Sequence, residues 1–265
     1  MNTIILTIIS IAAMGLFCAI LLAIISKVMH VDVDDRVLAL RSCLPGVNCG
    51  ACGYSGCEQY AVALVDGEVE PHLCTPGGDE VLAQICSILN VPVTGTVEKK
   101  IAIVQCMGDS QSNRKKMDYV GIETCFAAKQ LYGGVGACSF GCVGLGDCVK
   151  VCPSAAICIK SDLARVDLRS CTGCGLCVEA CPTGIMIIEG ATAKTAVLCR
   201  NTEKGAVLKN KCTKGCTGCT LCVKACPQEA ITVDNSLAYI DYTKCDNCKK
   251  CMDVCRQGCI VYNDI

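Results

Sequence analysis

The chain has 265 residues, a formal net charge of −1 and 29 cysteines, about one residue in nine. The near-neutral charge excludes a strongly basic nucleic-acid-binding protein, and no nucleic-acid partner is expected. Although 52% of the residues are hydrophobic, that count includes the cysteines, so the soluble part is short of ordinary core-forming side chains.

The cysteine pattern favours metal binding over disulfides. Disulfide scaffolds are usually short secreted domains, whereas this chain is long and has an odd number of cysteines. Eleven of the cysteines stand in tight C-x2-C runs, and thiols this close in sequence are poor candidates for bridging each other with relaxed geometry. Thiolates bound to metal explain this clustering better.

The first predicted element is a transmembrane anchor within residues 1–27. Residues 4–25 carry no charge, and 19 of these 22 residues are apolar. As a helix they span about 33 Å, enough to cross a bilayer. The alternative, a cleaved signal peptide, has a basic start and a shorter apolar run. Basic residues follow the run at Lys27, Arg36 and Arg41, so we expect a single-pass protein of the cytoplasmic membrane with its bulk on the cytoplasmic side.

Residues 28–90 are predicted to form a four-cysteine domain. Its cysteines follow the spacing C-x2-C-x4-C-x16-C and are Cys49, Cys52, Cys57 and Cys74. The first three lie in a glycine-rich stretch, residues 44–57, whose backbone can approach a bulky inorganic group. We expect one [4Fe–4S] cluster here, followed by a short helix over 58–65. Residues 91–135 are predicted as a linker containing a strand at 100–106 and a helix at 121–131.

From residue 136 onward the chain repeats, which predicts an α+β protein of several small domains. A first ferredoxin module is expected at 136–190, a connection at 191–210 and a second module at 211–265. Cysteine loops are followed by short strand-like pieces at 156–159, 185–188, 230–233 and 259–262.

The second module has the most specific pattern, two C-x2-C-x2-C-x3-C runs. In bacterial two-cluster ferredoxins the fourth cysteine of each run binds the other cluster. We therefore assign one cube to Cys216, Cys219, Cys222 and Cys255, and another to Cys245, Cys248, Cys251 and Cys226. Zinc is the alternative, but zinc sites pair two C-x2-C knuckles around one ion and would leave a third thiolate of each loop unused.

The first module follows the same crossed scheme with one stretched loop, C-x3-C-x5-C-x3-C. One cube is assigned to Cys138, Cys142, Cys148 and Cys181, and its neighbour to Cys171, Cys174, Cys177 and Cys152.

Five clusters use 20 cysteines and leave nine. Four of these bracket the first module and are either the ligands of a sixth cluster or small buried residues: Cys106, Cys125, Cys199 and Cys212. Cys18 lies in the apolar run, and no role is assigned to Cys43, Cys86, Cys158 and Cys259. Because the chain lacks a dinucleotide-binding motif and has only two histidines, we expect it to transfer electrons without converting a substrate itself.

Three stretches together resemble one family. They are LPGVNCGACGYSGC at 44–57, CSFGCVGLGDCVKVCP at 138–153 and VLCRNTEKG at 197–205. With the apolar start and the two ferredoxin pairs, the chain is similar to the B subunit of the Rnf complex over essentially its whole length. The chain departs from the usual pattern at Arg256, where proline commonly follows the fourth ligand, and at the additional Cys43.

The resemblance implies an electron-transfer subunit of an ion-transporting ferredoxin:NAD oxidoreductase. Soluble ferredoxin would supply electrons, and the other membrane and flavin-carrying subunits would bind NAD and move Na+ or H+. Three alternatives remain at this stage: an Rsx-type reducing complex, a polyferredoxin that supplies another anaerobic oxidoreductase such as a methyl-transferring corrinoid system, and a zinc-binding structural or sensor protein.

Overall fold

A computed structural model of the chain describes residues 2–28 and 34–263. The side chains of residues 2–4, 7, 10 and 28 are also outside the description. Residues 29–33 of the predicted four-cysteine domain and residues 264–265 of the predicted second module lie outside the described residues.

The first element is a long helix, α1 (Asn2–Val28), over the apolar run. Every side chain described between residues 5 and 27 is exposed, including Phe17 and a series of Ile and Leu residues. Among the described residues, no helix combines the length and the apolar character that crossing a membrane requires.

Three helices build the first cysteine domain: α2 (Asp35–Cys43), α3 (Cys57–Asp66) and α4 (Gly78–Leu89). They pack around Leu40, Tyr60 and Ile85, which are at most 1% exposed. The Tyr60 hydroxyl donates a hydrogen bond to the carbonyl oxygen of Pro71 at 2.9 Å, which ties the chain after α3 back onto the core. The core of this domain is small, and Cys74 belongs to it.

The first ferredoxin module has two antiparallel strand pairs. The outer pair joins β1 (Lys100–Val104) to a strand at the end of the module, and the inner pair is a hairpin. The elements that follow β1 are α5 (Cys125–Gln130), α6 (Asp147–Lys150), β2 (Ile157–Lys160), β3 (Leu163–Val166), α7 (Leu176–Glu179) and β4 (Met186–Gly190). In the outer pair Lys100 lies opposite Gly190, and Val104 lies opposite Met186.

The second module repeats this plan. Its elements are β5 (Thr195–Val197), α8 (Gly205–Lys209), α9 (Leu221–Ala225), β6 (Ile231–Asp234), β7 (Leu237–Ile240), α10 (Lys250–Asp253) and β8 (Ile260–Tyr262). Strands β5 and β8 form the outer pair and β6 and β7 the hairpin. Leu163 of the first module and Leu237 of the second occupy equivalent hairpin positions and are both buried.

The strand pairing gives module boundaries that differ from the sequence-based ones. Residues 100–104, which we expected in a linker, form the edge of the first module, and residues 195–197, expected in a connection, form the edge of the second. Each of these strands pairs with a strand far along the chain. Local patterning identifies a strand but does not identify so distant a partner.

Candidate metal centres

The third cysteine of each ferredoxin loop has the same place in the fold. In every loop it is the second residue of a short helix, and it is 6–8% exposed. These four residues are Cys148, Cys177, Cys222 and Cys251. The repeat seen in the sequence is therefore a repeat in three dimensions, and it directs one thiol of each loop into the core.

The four cysteines of the N-terminal domain lie together. Burial raises the pKa of the Cys74 thiol to about 11, and the thiols of Cys57, Cys52 and Cys49 raise it further. Such charge effects fall off with distance, so these are neighbouring groups. Two features bring Cys57 to this position. Helix α3 begins at Cys57, and the backbone N–H of Cys57 donates to the Asn48 side-chain oxygen at 2.8 Å.

In the first module the thiols nearest to Cys177 match one crossed ligand set. Burial raises the pKa of Cys177 to about 12, and Cys171, Cys174 and Cys152 raise it further. The Cys171 sulfur accepts a hydrogen bond from the backbone N–H of Ala102 in β1 at 3.4 Å. The outer strand therefore donates to a cysteine of the loop that it covers.

In the second module one cavity collects the cysteines of the other crossed set. The cavity holds about 360 Å³ of empty space, and it is lined by Cys216, Cys219, Cys222 and Cys255. In the partner set, burial raises the pKa of Cys251 to about 11, with Cys245 and Cys248 among the thiols that raise it further. Cys226 accepts a hydrogen bond from the Ala230 backbone N–H at 3.4 Å.

Sequence reasoning assigned no role to Cys259, which lines the same cavity. Cys259 is 2% exposed, and its sulfur lies 3.7 Å from that of Cys255. It stands four residues after the fourth cysteine of its loop, the place that Ile185 occupies in the first module. A position-by-position comparison of the two repeats could have predicted that Cys259 is a core residue next to the site.

The stretched loop gives a different grouping from the expected one. Burial raises the pKa of Cys148 to about 12, and the thiols that raise it further are Cys125, Cys181 and Cys177. Burial also raises the pKa of Cys142 to about 11, with Cys125 and Cys148 as the thiols that raise it further. Cys125 thus lies beside Cys142 and Cys148.

Cys138 instead lines a cavity with three of the cysteines left over by the sequence assignment. About 330 Å³ of empty space lies between the two modules, and its cysteines are Cys106, Cys138, Cys199 and Cys212. Cys125, which we grouped with Cys106, Cys199 and Cys212 as ligands of a sixth cluster, does not line this cavity.

The other unassigned cysteines are spread through the chain. Cys18 is exposed on α1, Cys158 is exposed on β2, and Cys86 is buried in α4. The Cys43 thiol donates to the Leu40 carbonyl oxygen at 3.0 Å, as a half-buried residue at the end of α2.

Glycine allows close backbone contact in two of the loops. Gly173 lies between Cys171 and Cys174 with φ +67°, and a Cβ atom built on it would lie 2.5 Å from the Lys100 carbonyl oxygen. Gly218, between Cys216 and Cys219, also has φ +67°, and its Cβ would lie 2.7 Å from the Ser236 Cα. In the first loop the start of β1 leaves no room for a side chain, and in the second the turn between β6 and β7 does the same.

The donor set fits iron–sulfur clusters. It consists of thiols buried within the module cores, with backbone N–H groups directed at several of the sulfurs. Sulfur-only ligation is the chemistry that [4Fe–4S] clusters use, and hydrogen bonds to sulfur are among the factors that set their potentials. Over residues 2–28 and 34–263, no three His, Cys, Asp or Glu side chains are grouped so that they could hold one metal ion. In a [4Fe–4S] cube each of the four thiolates binds a different iron, so its ligands stand further apart than the ligands of a single ion.

Comparison with known protein families supports iron–sulfur domains in the same segments. An Fe-S cluster family model matches residues 44–76, and models described as 4Fe-4S binding domain match residues 138–156 and 164–187. A 4Fe-4S dicluster domain model matches residues 215–260. Several [4Fe–4S] clusters are therefore supported.

Three relatives are similar over most of the chain. The B subunit of the Na(+)-translocating ferredoxin:NAD(+) oxidoreductase complex of Acetobacterium woodii is 40% identical, over 93% of this chain and 74% of that protein. The B subunit of the proton-translocating ferredoxin:NAD(+) oxidoreductase complex of Clostridium ljungdahlii is 40% identical, over 98% and 93%. The B subunit of the ion-translocating oxidoreductase complex of Methanosarcina acetivorans is 38% identical, over 94% of each. Because the identity extends through all the cysteine domains, the chain belongs to the family of B subunits of the ion-translocating, Rnf-type oxidoreductase complexes.

Proposed function

We propose that this chain accepts electrons from reduced soluble ferredoxin and relays them to other subunits of a membrane complex. That complex would couple ferredoxin:NAD oxidoreduction to ion translocation. The relatives support this interpretation, since one is named for Na+ and another for proton translocation. The coupling ion proposed here is accordingly Na+ or H+. NAD binding and flavin chemistry are assigned to the other subunits, and the chain itself converts no substrate.

The proposed carriers are at least five [4Fe–4S] clusters. Four of their ligand sets are those that the spacing predicts, with first cysteines Cys49, Cys171, Cys216 and Cys245. The stretched loop contributes Cys142 and Cys148 to a fifth cube, and Cys181 is its third ligand. When bound, such clusters supply one-electron transfer.

The observation that carries the proposal is that cysteines of different sites are neighbours. The pKa of Cys49 is raised by burial and, among the thiols, chiefly by Cys174 of the first module. Cys177 likewise raises the pKa of Cys148, and Cys222 raises that of Cys251, in each case after burial as the main cause. The charge effect on Cys49 indicates that the N-terminal site lies near the first module. Helix α6 with Cys148 packs against α7 with Cys177, and α9 with Cys222 packs against α10 with Cys251. An electron relay requires adjacent sites, whereas structural metal sites have no need to be adjacent.

The residues of the chain have two tasks in this role. The hydrophobic core residues around each loop, such as Leu163 and Leu237, exclude water from the sulfurs. The backbone N–H groups of Ala102 and Ala230 donate to cysteine sulfurs and so stabilise negative charge there. Burial and hydrogen bonding to sulfur are the factors by which a protein sets the potential of each site.

The proposal is tested by electron uptake from ferredoxin. The anaerobically prepared full chain, with its iron and acid-labile sulfide measured, is mixed with reduced ferredoxin. Bleaching of the cluster absorbance and the appearance of reduced-cluster signals in electron paramagnetic resonance are expected. Chain stripped of iron is the matched control and should take up no electrons. Iron-loaded chain that stays oxidised with ferredoxin, yet is reduced by dithionite, would contradict ferredoxin as the donor.

We propose further that α1 anchors the chain in the cytoplasmic membrane, with the cysteine domains on the cytoplasmic side. The support is the uncharged apolar sequence of residues 4–25, the exposed apolar side chains of α1 and the basic residues after it. Deleting residues 1–27 should release a soluble protein with an unchanged iron content. Tight membrane binding of the truncated chain in the absence of the other subunits would count against the anchor.

A further inference from the structure

The neighbouring sites form two separate groups, with a space between them. One group runs from the N-terminal domain through the first module, and the other lies in the second module. The cavity lined by Cys106, Cys138, Cys199 and Cys212 fills the interval between them. These four cysteines come from four separate segments of the chain, which only the folded protein brings together.

Direct contacts hold the segments around this cavity against one another. Asn113 pairs with Cys212 in an isolated β-bridge, and the backbone N–H of Cys138 donates to the Asn113 side-chain oxygen at 3.2 Å. Asn201, which follows Cys199 by two residues, donates its side-chain amide to the Cys138 sulfur at 3.2 Å. The segments that carry Cys138, Cys199 and Cys212 are therefore joined at the cavity.

Each sulfur that faces the cavity has hydrogen-bond donors. Cys106 accepts from the backbone N–H of Gly108 at 3.4 Å, and Cys138 accepts from the side-chain amide of Asn201 at 3.2 Å. Asn201 is 1% exposed, so its amide is a buried polar group directed at sulfur. The backbone N–H of Asn201 hydrogen-bonds to the Cys199 sulfur, and that of Lys214 hydrogen-bonds to the Cys212 sulfur. Donors to all four sulfurs would stabilise thiolates.

Steric and electrostatic features of the cavity also suit a bulky anionic group. A Cβ atom on Gly108 would lie 3.3 Å from the Cys212 sulfur and 3.6 Å from the Cys106 sulfur, so the backbone at Gly108 lies directly beside both sulfurs. Arg200 and Lys214 line the same cavity. Lys214 also pairs with Asp109 at 2.9 Å. An oxidised cube with four thiolates carries a net charge of about −2, which Arg200 would offset in part.

We propose that Cys106, Cys138, Cys199 and Cys212 bind a sixth [4Fe–4S] cluster between the two ferredoxin modules. This assignment removes Cys138 from the set in which its loop spacing placed it. Cys125 then becomes the fourth ligand beside Cys142, Cys148 and Cys181.

The position of α5 explains how Cys125 can take that place. The backbone N–H of Phe126 donates to the Asp147 carboxylate at 3.1 Å, and Asp147 directly precedes Cys148. The start of α5 is therefore held against the stretched loop. Cys125 is 8% exposed and is the first thiol after burial in raising the pKa of both Cys142 and Cys148.

The site would connect the two groups of sites, and this part of the inference rests on the proposed electron-transfer function. The backbone N–H of Cys142, a ligand residue of the first module, donates to the Cys106 sulfur at 3.5 Å. The backbone N–H of Cys216, a ligand residue of the second module, hydrogen-bonds to the Cys199 sulfur. One ligand residue of each module thus contacts the bridging site directly.

Iron counts on single and double variants of the full chain test the site and its ligands together. Anaerobically purified wild type should hold about 24 irons, four for each of six cubes, with as many sulfides. C199A and C138A should each hold about 20. Because both residues bind the same cube, the double variant C138A/C199A should also hold about 20. C125A/C199A removes ligands of two different cubes and should hold about 16. C86A, which changes a buried cysteine outside all the sets, is the matched control and should hold about 24.

Three outcomes would overturn the inference. The sixth cluster is refuted by a wild type with about 20 irons that C199A leaves unchanged, or by zinc at this site in place of iron. The ligand assignment is refuted if C138A/C199A falls to about 16 irons while C125A/C199A keeps about 20. Iron counting needs no ferredoxin, so failure of ferredoxin as the electron donor would leave these counts unaffected.

Discussion

Replacing Gly173 by alanine should weaken the first module much more than the same change two residues later at Gly175. Both glycines are in the left-handed region, at φ +67° and +84°. Alanine there costs about 1–2 kcal/mol on backbone grounds alone. At Gly175 no other atom lies within 4 Å of an added Cβ, so this is the whole expected cost.

At Gly173 the added Cβ would meet the β1 backbone as well. It would lie 2.5 Å from the Lys100 carbonyl oxygen and 2.7 Å from its carbonyl carbon, whereas real Cβ atoms essentially never approach within 3.0 Å. Lys100 is held in register opposite Gly190, so β1 cannot shift freely. Overpacking of this kind costs about 1–3 kcal/mol more. The total for G173A is therefore about 2–5 kcal/mol.

The assay is the thermal midpoint at which the cluster absorbance is lost, measured anaerobically at one heating rate. One kcal/mol corresponds to about 2–4 °C for a domain of 150–250 residues and to more for a smaller one. G175A should therefore lose cluster absorbance a few degrees below wild type, and G173A several degrees below G175A. Equal midpoints for the two variants would refute the argument that close approach of β1 requires glycine at this position.

Three further predictions concern single side chains. C226A should abolish the cluster assigned to the loop of Cys245, Cys248 and Cys251. Loss of the electron paramagnetic resonance signal from the cluster of Cys216, Cys219 and Cys222 alone would contradict crossed ligation. L163A removes a fully buried side chain and should destabilise the first module by about 2–5 kcal/mol, whereas a change below about 1 kcal/mol would mean that this hairpin is loosely packed. Hydrogen bonds from Ser112 and the ion pair with Lys214 at 2.9 Å lower the pKa of the Asp109 carboxyl. A carboxyl of lowered pKa stabilises the fold above its unfolded pKa and loses this effect only as the pH falls towards its folded pKa. D109N should thus cost up to about 1 kcal/mol from about pH 8 to 5.5, and less as the pH falls below about 4; a cost that stays the same down to about pH 3 would argue against the lowered pKa.

Sequence reasoning works best for features whose parts are close together in the chain. The cysteines proposed as ligands within each ferredoxin loop are separated by two to five residues. A predicted strand at 156–159 corresponds to β2 at Ile157–Lys160, and the helix predicted at 58–65 corresponds to α3 at Cys57–Asp66. Hydrophobic periodicity and glycine content act over such short ranges, which is why these elements were predictable.

Features that depend on distant segments were not predictable in this way. Strand β3 was missed because its four residues include the polar, exposed Arg165, and the hairpin is recognisable only once β2 is paired with it. The position of Cys138 is a second case, since loop spacing groups it with Cys142 while the fold turns it towards Cys106 and Cys199. Four cysteines from four segments carry no spacing signal at all.

The pairing of β1 with β4 has a consequence for how the protein is made. Residues 100–104 leave the ribosome long before residues 186–190, and until the later strand emerges the earlier one has no partner. The N-terminal domain, complete by Leu89, faces no such delay. Maturation should therefore proceed in order, with iron delivered to the N-terminal domain while synthesis continues and to the first module only after its closing strand has been translated.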